Sequence, residues 1–298
     1  MRLKVGNLTI SKIVEDNAAS LPLTFGFPGA TQADIDQLRD FYEYDGLGSS
    51  PKDSTSKLNL HSFVFELGGK TFLIDACTGN HKPRSIPFFN NLDTPYLSRL
   101  QGAGYKVEDI DFVLCTHLHF DHVGWNTRLE DGRWVPTFPN AKYVFTKADY
   151  DYFDQHHDDP IYGPAFVDSV LPIMEHGLAE LVATNHRVLH HLNDQVWLEG
   201  APGHSPGSCM IHAAHSSDHA VFSGDLVHHP IQMLRPHLLQ QADMDPALGC
   251  MTRAAVFDRI ADTPTVLLPA HFGKSSAGTL HRLTDDSYRF EFLTPVEE

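Results

Sequence analysis

The chain has 298 residues, of which 42% are apolar and 20% are charged, and these proportions exclude an intrinsically disordered protein. Acidic residues outnumber basic residues by 38 to 22, and the net charge of −16 argues against nucleic acid as a partner because a phosphate backbone would be repelled. No apolar run is long enough to cross a membrane and the N-terminus carries no export signal, so we expect a cytoplasmic protein without a membrane partner.

Strand-like segments, rich in β-branched and aromatic residues, are predicted in both halves of the chain. They cover residues 3–14, 61–68, 71–76, 111–115, 142–145, 195–200, 208–213, 219–223 and 264–268. Gly68 and Gly69 are predicted to form a hairpin turn. Helical periodicity is predicted over residues 31–42, 94–103, 146–155, 164–181 and 246–261. The pattern indicates a mixed α/β protein whose strand-rich halves form stacked sheets with helices on their outer faces.

The chain shows no sign of division into domains. No flexible tether, low-complexity run or tandem repeat interrupts it, so a single domain is expected over residues 1–298. Residues 20–60 differ from the rest because they contain one modest predicted helix, and the stretches on either side of it show little regular pattern. We expect this N-terminal segment to be either a lid-like excursion or a surface loop.

Histidine, with 20 copies, is nearly as frequent as lysine and arginine combined. It is the commonest metal ligand and the usual acid or base near neutral pH, so clusters of histidine are the first candidates for a functional site. The four cysteines lack CxxC spacing. They are therefore expected to be reduced and mostly buried rather than zinc ligands or disulfides.

The densest histidine cluster follows the predicted strand at 111–115, where the chain reads CTHLHFDHVG. It holds His117, His119, Asp121 and His122 within six residues. Alternate side chains of an extended segment point the same way, so the first two histidines can bind one ion while the aspartate and the third histidine turn toward a second. Imidazole and carboxylate ligands together suit zinc, with iron, cobalt or manganese as alternatives.

The string THLHFDHVG resembles the HxHxDH signature of the metallo-β-lactamase-fold hydrolase superfamily. Three further positions of that family's pattern follow in order, each at the end of a predicted strand: His204 in PGHSPG, Asp225 in SGDLVHHP and His271 in PAHFG. The resemblance covers nearly the whole chain. It implies an α/β fold of the four-layer αβ/βα sandwich type, with two divalent metal ions bound at one edge.

The resemblance also implies a role for each matched residue. The first ion would be bound by His117, His119 and His204, the second by Asp121, His122 and His271, with Asp225 bridging the two. Asp75 in LIDACTG matches an aspartate that many members use to orient a ligand histidine, although a strand-terminal turn would also explain it. Ser208 replaces the second histidine of the family's GHTPGH segment, which leaves the local hydrogen bonding open.

Two residues are candidates for proton transfer, namely Asp121 and His228. His228 lies three residues after Asp225, where homoserine lactonases of the superfamily tend to carry a tyrosine. It is a candidate for donating a hydrogen bond to a substrate carbonyl or for protonating the leaving group, and a packed or surface histidine is the alternative. Five other histidines are expected at the surface or at helix ends: His156, His157, His190, His191 and His229.

Several large apolar side chains could form the wall of a substrate pocket, although a place in the core is favoured for each one individually. They are Phe25, Phe27, Phe88, Phe89, Phe120, Trp125 and Met233.

The resemblance implies hydrolysis by a metal-bound hydroxide, because metal coordination lowers the pKa of water toward about 7. The length, the GDLVHHP segment and the aromatic N-terminal stretch resemble the lactonase and methyl-parathion-hydrolase branch, so a small lactone or ester is the leading substrate. A phosphotriester is the first alternative, then a thioester or a β-lactam, the last disfavoured by Asp225. A non-catalytic metal-binding protein is the alternative from another class, and a homodimer is left open.

Overall fold

The computed structural model describes residues 1–42 and 46–296, and strands make up much of this part of the chain. In chain order they are β1 (Arg2–Val5), β2 (Leu8–Pro22), β3 (Thr55–Leu67), β4 (Lys70–Ile74), β5 (Phe112–Leu114), β6 (Thr127–Glu130), β7 (Arg133–Pro136), β8 (Lys142–Thr146), β9 (Ala179–Val182), β10 (Arg187–His191), β11 (Asp194–Gly200), β12 (Cys209–His215), β13 (Asp218–Gly224), β14 (Val266–Pro269), β15 (Gly278–Thr284) and β16 (Ser287–Phe292).

Two seven-stranded sheets hold all of these strands except β6 and β7, which pair with each other. The first sheet has the order β1-β2-β3-β4-β5-β8-β9, and the second runs from β10 to β16 in sequence order. Within the first sheet β4 and β5 are parallel, and within the second β13 and β14 are parallel. Parallel neighbours end at the same sheet edge, so the loops after β4 and β5 lie together, as do the loops after β13 and β14.

The helices are mostly short. In chain order they are α1 (Leu23–Gly26), α2 (Gln32–Phe41), α3 (Tyr96–Gly102), α4 (Phe120–Val123), α5 (Lys147–Gln155), α6 (Gly163–Ala165), α7 (Leu171–Glu175), α8 (Ile231–Leu234) and α9 (Pro246–Ile260). The two long ones have recognisable start signals. A capping box of Thr31 and Asp34 begins α2, and the Asp245 side chain accepts a hydrogen bond from the Leu248 amide at the start of α9.

Apolar side chains fill three layers of core. Between the two sheets, the ring of Phe65 from β3 lies parallel to that of Phe222 from β13, with 5.4 Å between ring centroids. A second cluster joins the first sheet to α3, α5 and α7, and a third joins the second sheet to α2, α8 and α9. The order helix, sheet, sheet, helix is the αβ/βα sandwich expected from the sequence.

The hairpin between β3 and β4 turns at Gly68 and Gly69, as predicted. Both residues have positive φ, 58° and 72°. This is the left-handed region that a tight hairpin turn needs and that glycine enters without steric cost.

The structure corrects several predicted elements. The strand predicted over 3–14 is interrupted, because Gly6 adopts a φ of 57° in the turn between β1 and β2. The helix predicted over 164–181 is wrong beyond Glu175, because a π-helical turn at Phe166–Val170 breaks its period and Gly177, with a φ of 68°, ends it before β9. Six strands were not predicted, because their short or half-exposed segments give weak apolar alternation: β6, β7, β9, β10, β15 and β16.

The irregular N-terminal segment is shorter than the expected 20–60, because β2 runs to Pro22 and β3 begins at Thr55. Residues 43–45 of this segment lie outside the described residues. Its first helix, α1, is joined to a later loop by a hydrogen bond of 2.9 Å from the Gln241 amide to the Gly26 carbonyl. The lid role of the segment stays a prediction.

All four cysteines are buried free thiols, as expected. Among residues 1–42 and 46–296, no helix combines the length and the apolar character needed to span a bilayer.

Candidate metal centre

The histidine cluster at 117–122 lies where β5 ends and α4 begins. His117 follows the last residues of a buried strand, and His119 is the residue that immediately precedes α4. The backbone between them is held from outside, because the Leu118 amide donates a hydrogen bond of 3.1 Å to the Asp149 carboxylate. The site therefore receives His117 and His119 from the extended segment between β5 and α4, and His122 from α4 itself.

The loop that carries His204 is fixed to the same aspartate. Asp149 accepts hydrogen bonds from the Ser205 hydroxyl at 2.8 Å and from the Gly207 amide at 2.5 Å. The loop also passes so close to α9 that a Cβ on Gly203 would lie 2.3 Å from the Gly249 Cα. Asp149 thus connects the two loops that present histidines to the site, and neither its position nor its spacing marks it in the sequence.

The seven predicted ligands lie together at one end of the sandwich. Asp225 follows β13 and His271 follows β14, which are parallel neighbours. The Asp225 carboxylate is central, with imidazole Nε2 atoms around its two oxygens at 3.0 Å for His271, 3.1 Å for His204, 3.3 Å for His122 and 3.8 Å for His117. On the other side of the cluster, Asp121 lies 3.8 Å from His122 and 3.7 Å from His271.

The donor atoms fit divalent cations. Within the described residues, ligand atoms of His117, His119, His204 and Asp225 lie within 4.8 Å of one another, and so do those of Asp121, His122 and His271. Several polar atoms of these side chains are buried close to one another without a well-aligned hydrogen bond in the described part of the chain: Nε2 of His117 and His122, and Oδ1 of Asp225. Buried polar atoms without partners are costly, so their convergence is accounted for by bound cations.

Burial and the neighbouring carboxylates shift the pKa values of the ligand histidines in opposite directions, downward for His117 and His119 and upward for His122, His204 and His271. Burial lowers the pKa of His117 and His119 well below the usual histidine range, so both imidazoles are neutral and offer lone pairs. Burial opposes ionisation of Asp225, but the surrounding imidazoles outweigh it and hold the pKa of that carboxyl well below its usual range. Burial also opposes a charge on His204, but Asp225 and Asp243 raise its pKa to about 9, so a proton must leave before this nitrogen binds a cation.

Two buried carboxylates orient ligand histidines through Nδ1. Asp75 lies 2.9 Å from His122 Nδ1, as its sequence match implies, and Asp243 lies 2.9 Å from His204 Nδ1. Such contacts leave Nε2 free for a metal and fix the plane of the ring. Asp243, 39 residues from His204 in an irregular loop, was missed because no local spacing connects the two residues.

Ser208 occupies the position of the family's second histidine and forms hydrogen bonds within its own loop. Its hydroxyl donates to the carbonyls of Ala201 at 2.7 Å and Ser205 at 3.0 Å. The loop that carries His204 therefore has an internal hydrogen bond at the position where the sequence departs from the family pattern.

His228 is buried beside the cluster. Its Nε2 lies 2.9 Å from Asp225 Oδ2, and its backbone amide donates to the Gln232 side chain at 2.7 Å. The prediction that His229 lies at the surface is wrong, because this side chain is fully buried against Phe27. The other four histidines, His156, His157, His190 and His191, are exposed as expected.

A cavity of about 290 Å³ opens above this cluster of histidine and aspartate side chains. Of the predicted pocket residues, Phe25, Phe27, Phe89 and Phe120 line it. Trp125 instead lies in the core, where its indole donates to Glu15. Met233 is also a core residue, and Phe88 is half exposed away from the cavity.

Tyr162 and Gln240 are among the polar side chains that line this cavity without having been predicted. Tyr162 stacks on His119 with 4.3 Å between ring centroids, and Gln240 is buried with its carboxamide oxygen unpartnered among the described residues. Both lie in irregular loops, where neither helical nor strand periodicity indicates which way a side chain faces.

Comparisons with known proteins agree with this geometry. A family profile described as the metallo-beta-lactamase superfamily matches residues 58–275. An N-acyl homoserine lactonase from Bacillus cereus is 28% identical over 108 residues, which cover 36% of this chain. The match spans 34% of that protein, about a third of its length.

Two solved structures share the fold over nearly the whole of both chains. AidC, a dizinc quorum-quenching lactonase in complex with a product, is 19% identical and gives a TM-score of 0.78, covering 99% of this chain and 98% of that chain. The hydrolase AbOPH is 21% identical with a TM-score of 0.75, covering 100% and 97%. At these identities the likeness shows the fold alone.

Proposed function

The chain belongs to the metallo-beta-lactamase superfamily of metal-dependent hydrolases, and from that premise we propose that it hydrolyses a small, neutral lactone at a pair of divalent ions, zinc first. The observation that carries the proposal is a complete set of histidine and aspartate side chains beneath an apolar cavity. A protein that had lost turnover would not need to keep both features together, so the non-catalytic alternative is disfavoured.

We assign the ligands by proximity together with the family motif, and His228, which also groups with Asp225 and His271, is left out because it lies outside that motif. The first ion would be held by His117, His119 and His204, the second by Asp121, His122 and His271, and both by Asp225. Two ions bound there would lower the pKa of water toward about 7 and polarise a substrate oxygen.

The remaining chemistry is assigned to side chains next to the cavity. Asp121 lines it and is 11% exposed, so its carboxylate can accept a proton from the attacking water and deliver it to the leaving oxygen. His228 also lines the cavity, but its Nε2 contacts Asp225, which favours a role in holding that carboxylate. Asp75 and Asp243 keep two ligand imidazoles in place.

The charge of the cavity favours a neutral substrate. Among the described residues that line it, the ionisable groups are the histidines and aspartates of the cluster and the phenol of Tyr162, and there is no lysine or arginine. A glutathione thioester or a cephalosporin would bring carboxylates against apolar walls that hold no lysine or arginine to pair with them, and an unpaired buried carboxylate is costly. Thioesters of that kind and β-lactams are therefore disfavoured.

Both a lactone and a phosphotriester are neutral, so the cavity alone does not separate them. The lactone is favoured because the Bacillus cereus relative and AidC are both described as lactonases. The phosphotriester remains the second candidate, since the same site would accept it without any change of ligands.

The test is a substrate panel. Initial rates of the metal-loaded protein would be measured on γ- and δ-lactones, an aryl ester, a phosphotriester, a glutathione thioester and a cephalosporin, each with and without chelator. We expect chelator-sensitive turnover that is fastest with lactones. Faster turnover of the phosphotriester would overturn the substrate class, and a metal-loaded protein inactive on the whole panel would overturn the enzymatic proposal.

A further inference from the structure

We propose that Tyr162, which no sequence motif marks, is a catalytic residue that donates a hydrogen bond from its phenol to the carbonyl oxygen of the substrate. The inference rests on the proposed lactone hydrolysis. It adds to that proposal a contact made by a loop that carries none of the predicted metal ligands.

The position of Tyr162 brings it to the reacting end of the cavity. Its ring is nearly parallel to that of His119, with 4.3 Å between centroids and 17° between planes, and it shares the cavity lining with Asp121 and Asp225. A substrate bound above the cluster would therefore meet the edge of this ring. The ring of Phe120 lies 6.5 Å away on the same wall.

The backbone that carries Tyr162 is firmly held. The Asp159 side chain accepts hydrogen bonds from the amides of Ile161 at 2.8 Å and Tyr162 at 2.9 Å. The Tyr162 carbonyl accepts one of 3.1 Å from the Ala165 amide, at the start of α6. The next residue must be glycine, because a Cβ on Gly163 would lie 2.2 Å from the His157 carbonyl oxygen. A donor stabilises a transition state best when its position is fixed before the reaction.

The Tyr162 hydroxyl is a free donor. It has no hydrogen-bond partner within residues 1–42 and 46–296, although its backbone amide is paired. His228, which the sequence offers as a candidate donor, instead has its Nε2 in contact with Asp225. The phenol is therefore better placed than His228 to meet a substrate oxygen.

The chemistry of ester hydrolysis defines what this donor does. Water adds to the carbonyl carbon, and the carbonyl oxygen becomes negatively charged before the ring C–O bond breaks. The proton lost by water goes to the leaving alkoxide, and the product is a hydroxy acid. The phenol keeps its own proton and only donates a hydrogen bond, which strengthens as the charge develops and therefore acts on kcat more than on KM.

The first experiment compares Tyr162→Phe with Tyr152→Phe on the lactone that the wild-type protein hydrolyses fastest. The first change removes the hydroxyl and keeps the ring on His119, whereas Tyr152 stacks on His156 and does not line the cavity. We expect Tyr162→Phe to lower kcat by about 10- to 100-fold with KM changed by less than about threefold, and Tyr152→Phe to match the wild type. Metal content and melting temperature should be equal in all three proteins.

A sulfur-substituted substrate gives a second readout. In the matching thionolactone the carbonyl oxygen is replaced by sulfur, a weaker hydrogen-bond acceptor, so the wild-type to Tyr162→Phe ratio should fall toward 1. A kcat for Tyr162→Phe equal to that of the wild type, or an equal loss with the oxygen and the sulfur substrate, would overturn the role of Tyr162 and leave lactone hydrolysis standing. A wild-type protein that hydrolyses no lactone would overturn both.

Discussion

Asp75 and Asp243 are buried carboxylates that contact ligand histidines without joining the metal cluster. Asp75 is held by hydrogen bonds of 2.8 Å from the amide and the hydroxyl of Thr116. It also adopts a φ of 55°, a sparsely populated conformation for a residue other than glycine. Backbone strain at this position is consistent with a functional role for Asp75, which is to orient the imidazole of His122.

Replacing Asp75 with Asn should weaken metal binding. The carboxamide can still accept from His122 but carries no charge, and changes of this kind typically cost about 10- to 100-fold in metal affinity. Zinc affinity would be measured by competition with a chromogenic chelator, with Asp36→Asn at an exposed position of α2 as the control. Equal affinities in the two variants would contradict the orienting role of Asp75.

Lys12 gives a prediction about pH. Its ammonium nitrogen is buried and donates to the carbonyls of Phe272 and Lys274, in the loop after His271. Burial lowers its pKa to about 7 from an ordinary value of 10.5. Its titratable neighbour His61, whose pKa burial holds well below the usual range, stays neutral in this window.

Because the folded state releases the Lys12 proton more readily than the unfolded state does, this group adds stability as pH rises from about 7 to 10.5, and that stability is lost as pH falls toward 7. Between pH 7 and pH 9 the free energy of unfolding of the wild type should rise by about 2 kcal/mol relative to Lys12→Met. Urea unfolding at several pH values would measure it. Parallel pH curves for the two proteins would contradict a depressed pKa.

At the scale of residues, the sequence predicted the candidate ligands because each lies in a short motif at the end of a strand. His117 to His122 form one such motif, and His271 lies two residues after the end of β14. Asp149, Asp243 and Tyr162 could not be predicted in this way. Each of these residues lies far in sequence from the histidine or the histidine-bearing loop that it contacts, on a helix or loop whose position is set by tertiary packing.

Buried ion pairs hold the π-helical turn at Phe166–Val170 in place. Asp168 accepts two hydrogen bonds from the Arg84 guanidinium, at 2.7 Å and 3.0 Å, and lies 3.3 Å from the Lys82 ammonium. That ammonium also lies 3.7 Å above the Trp134 ring. The network joins the π-helical turn to the loop that carries Ile86 and Phe89, two residues that line the cavity.

Asp168→Asn should strongly destabilise the protein. It leaves two buried cations without an anion, and breaking a buried pair in this way costs about 3–5 kcal/mol. The matched control is Asp151→Asn, which removes an exposed pair with Lys147 and should cost less than about 1 kcal/mol. Urea unfolding of both variants decides the matter, and similar losses would contradict a structural role for the buried network.

Elements were predictable where apolar periodicity is strong and were missed where it is weak. The buried strands β4 and β14 follow the predicted strands within about two residues, whereas β3 begins six residues before its prediction. The hairpin of β15 and β16 was missed because its polar residues face solvent at the edge of the second sheet. The end of α7 was misplaced because Leu178 and Leu181 continue an apolar pattern past Gly177, which terminates the helix.

At the scale of the whole molecule, the candidate metal site connects the two sheets. His117 follows a strand of the first sheet, whereas Asp225 and His271 follow strands of the second. Cations held between them would cross-link the sandwich at this end. Metal that binds only the folded state also stabilises it by mass action.

Chelation should therefore loosen one end of the protein. We expect hydrogen exchange to accelerate in residues 116–123 and 201–208 after metal removal, while the paired centre of β3 stays protected, because its hydrogen bonds do not depend on the site. The melting temperature should fall as well. Exchange that is unchanged, or that rises equally in β3 and in the two loops, would contradict a metal cross-link at this edge.

We propose that seven side chains hold two ions with Asp225 between them. The most direct test is the number of zinc ions bound per chain, measured by calorimetric titration of the metal-free protein and by elemental analysis of the loaded protein, for the wild type and for Asp225→Ala. We predict two ions in the wild type, and in the folded variant at most one ion with no lactone turnover. A single ion in the wild type, or two ions and undiminished turnover in Asp225→Ala, would contradict the account.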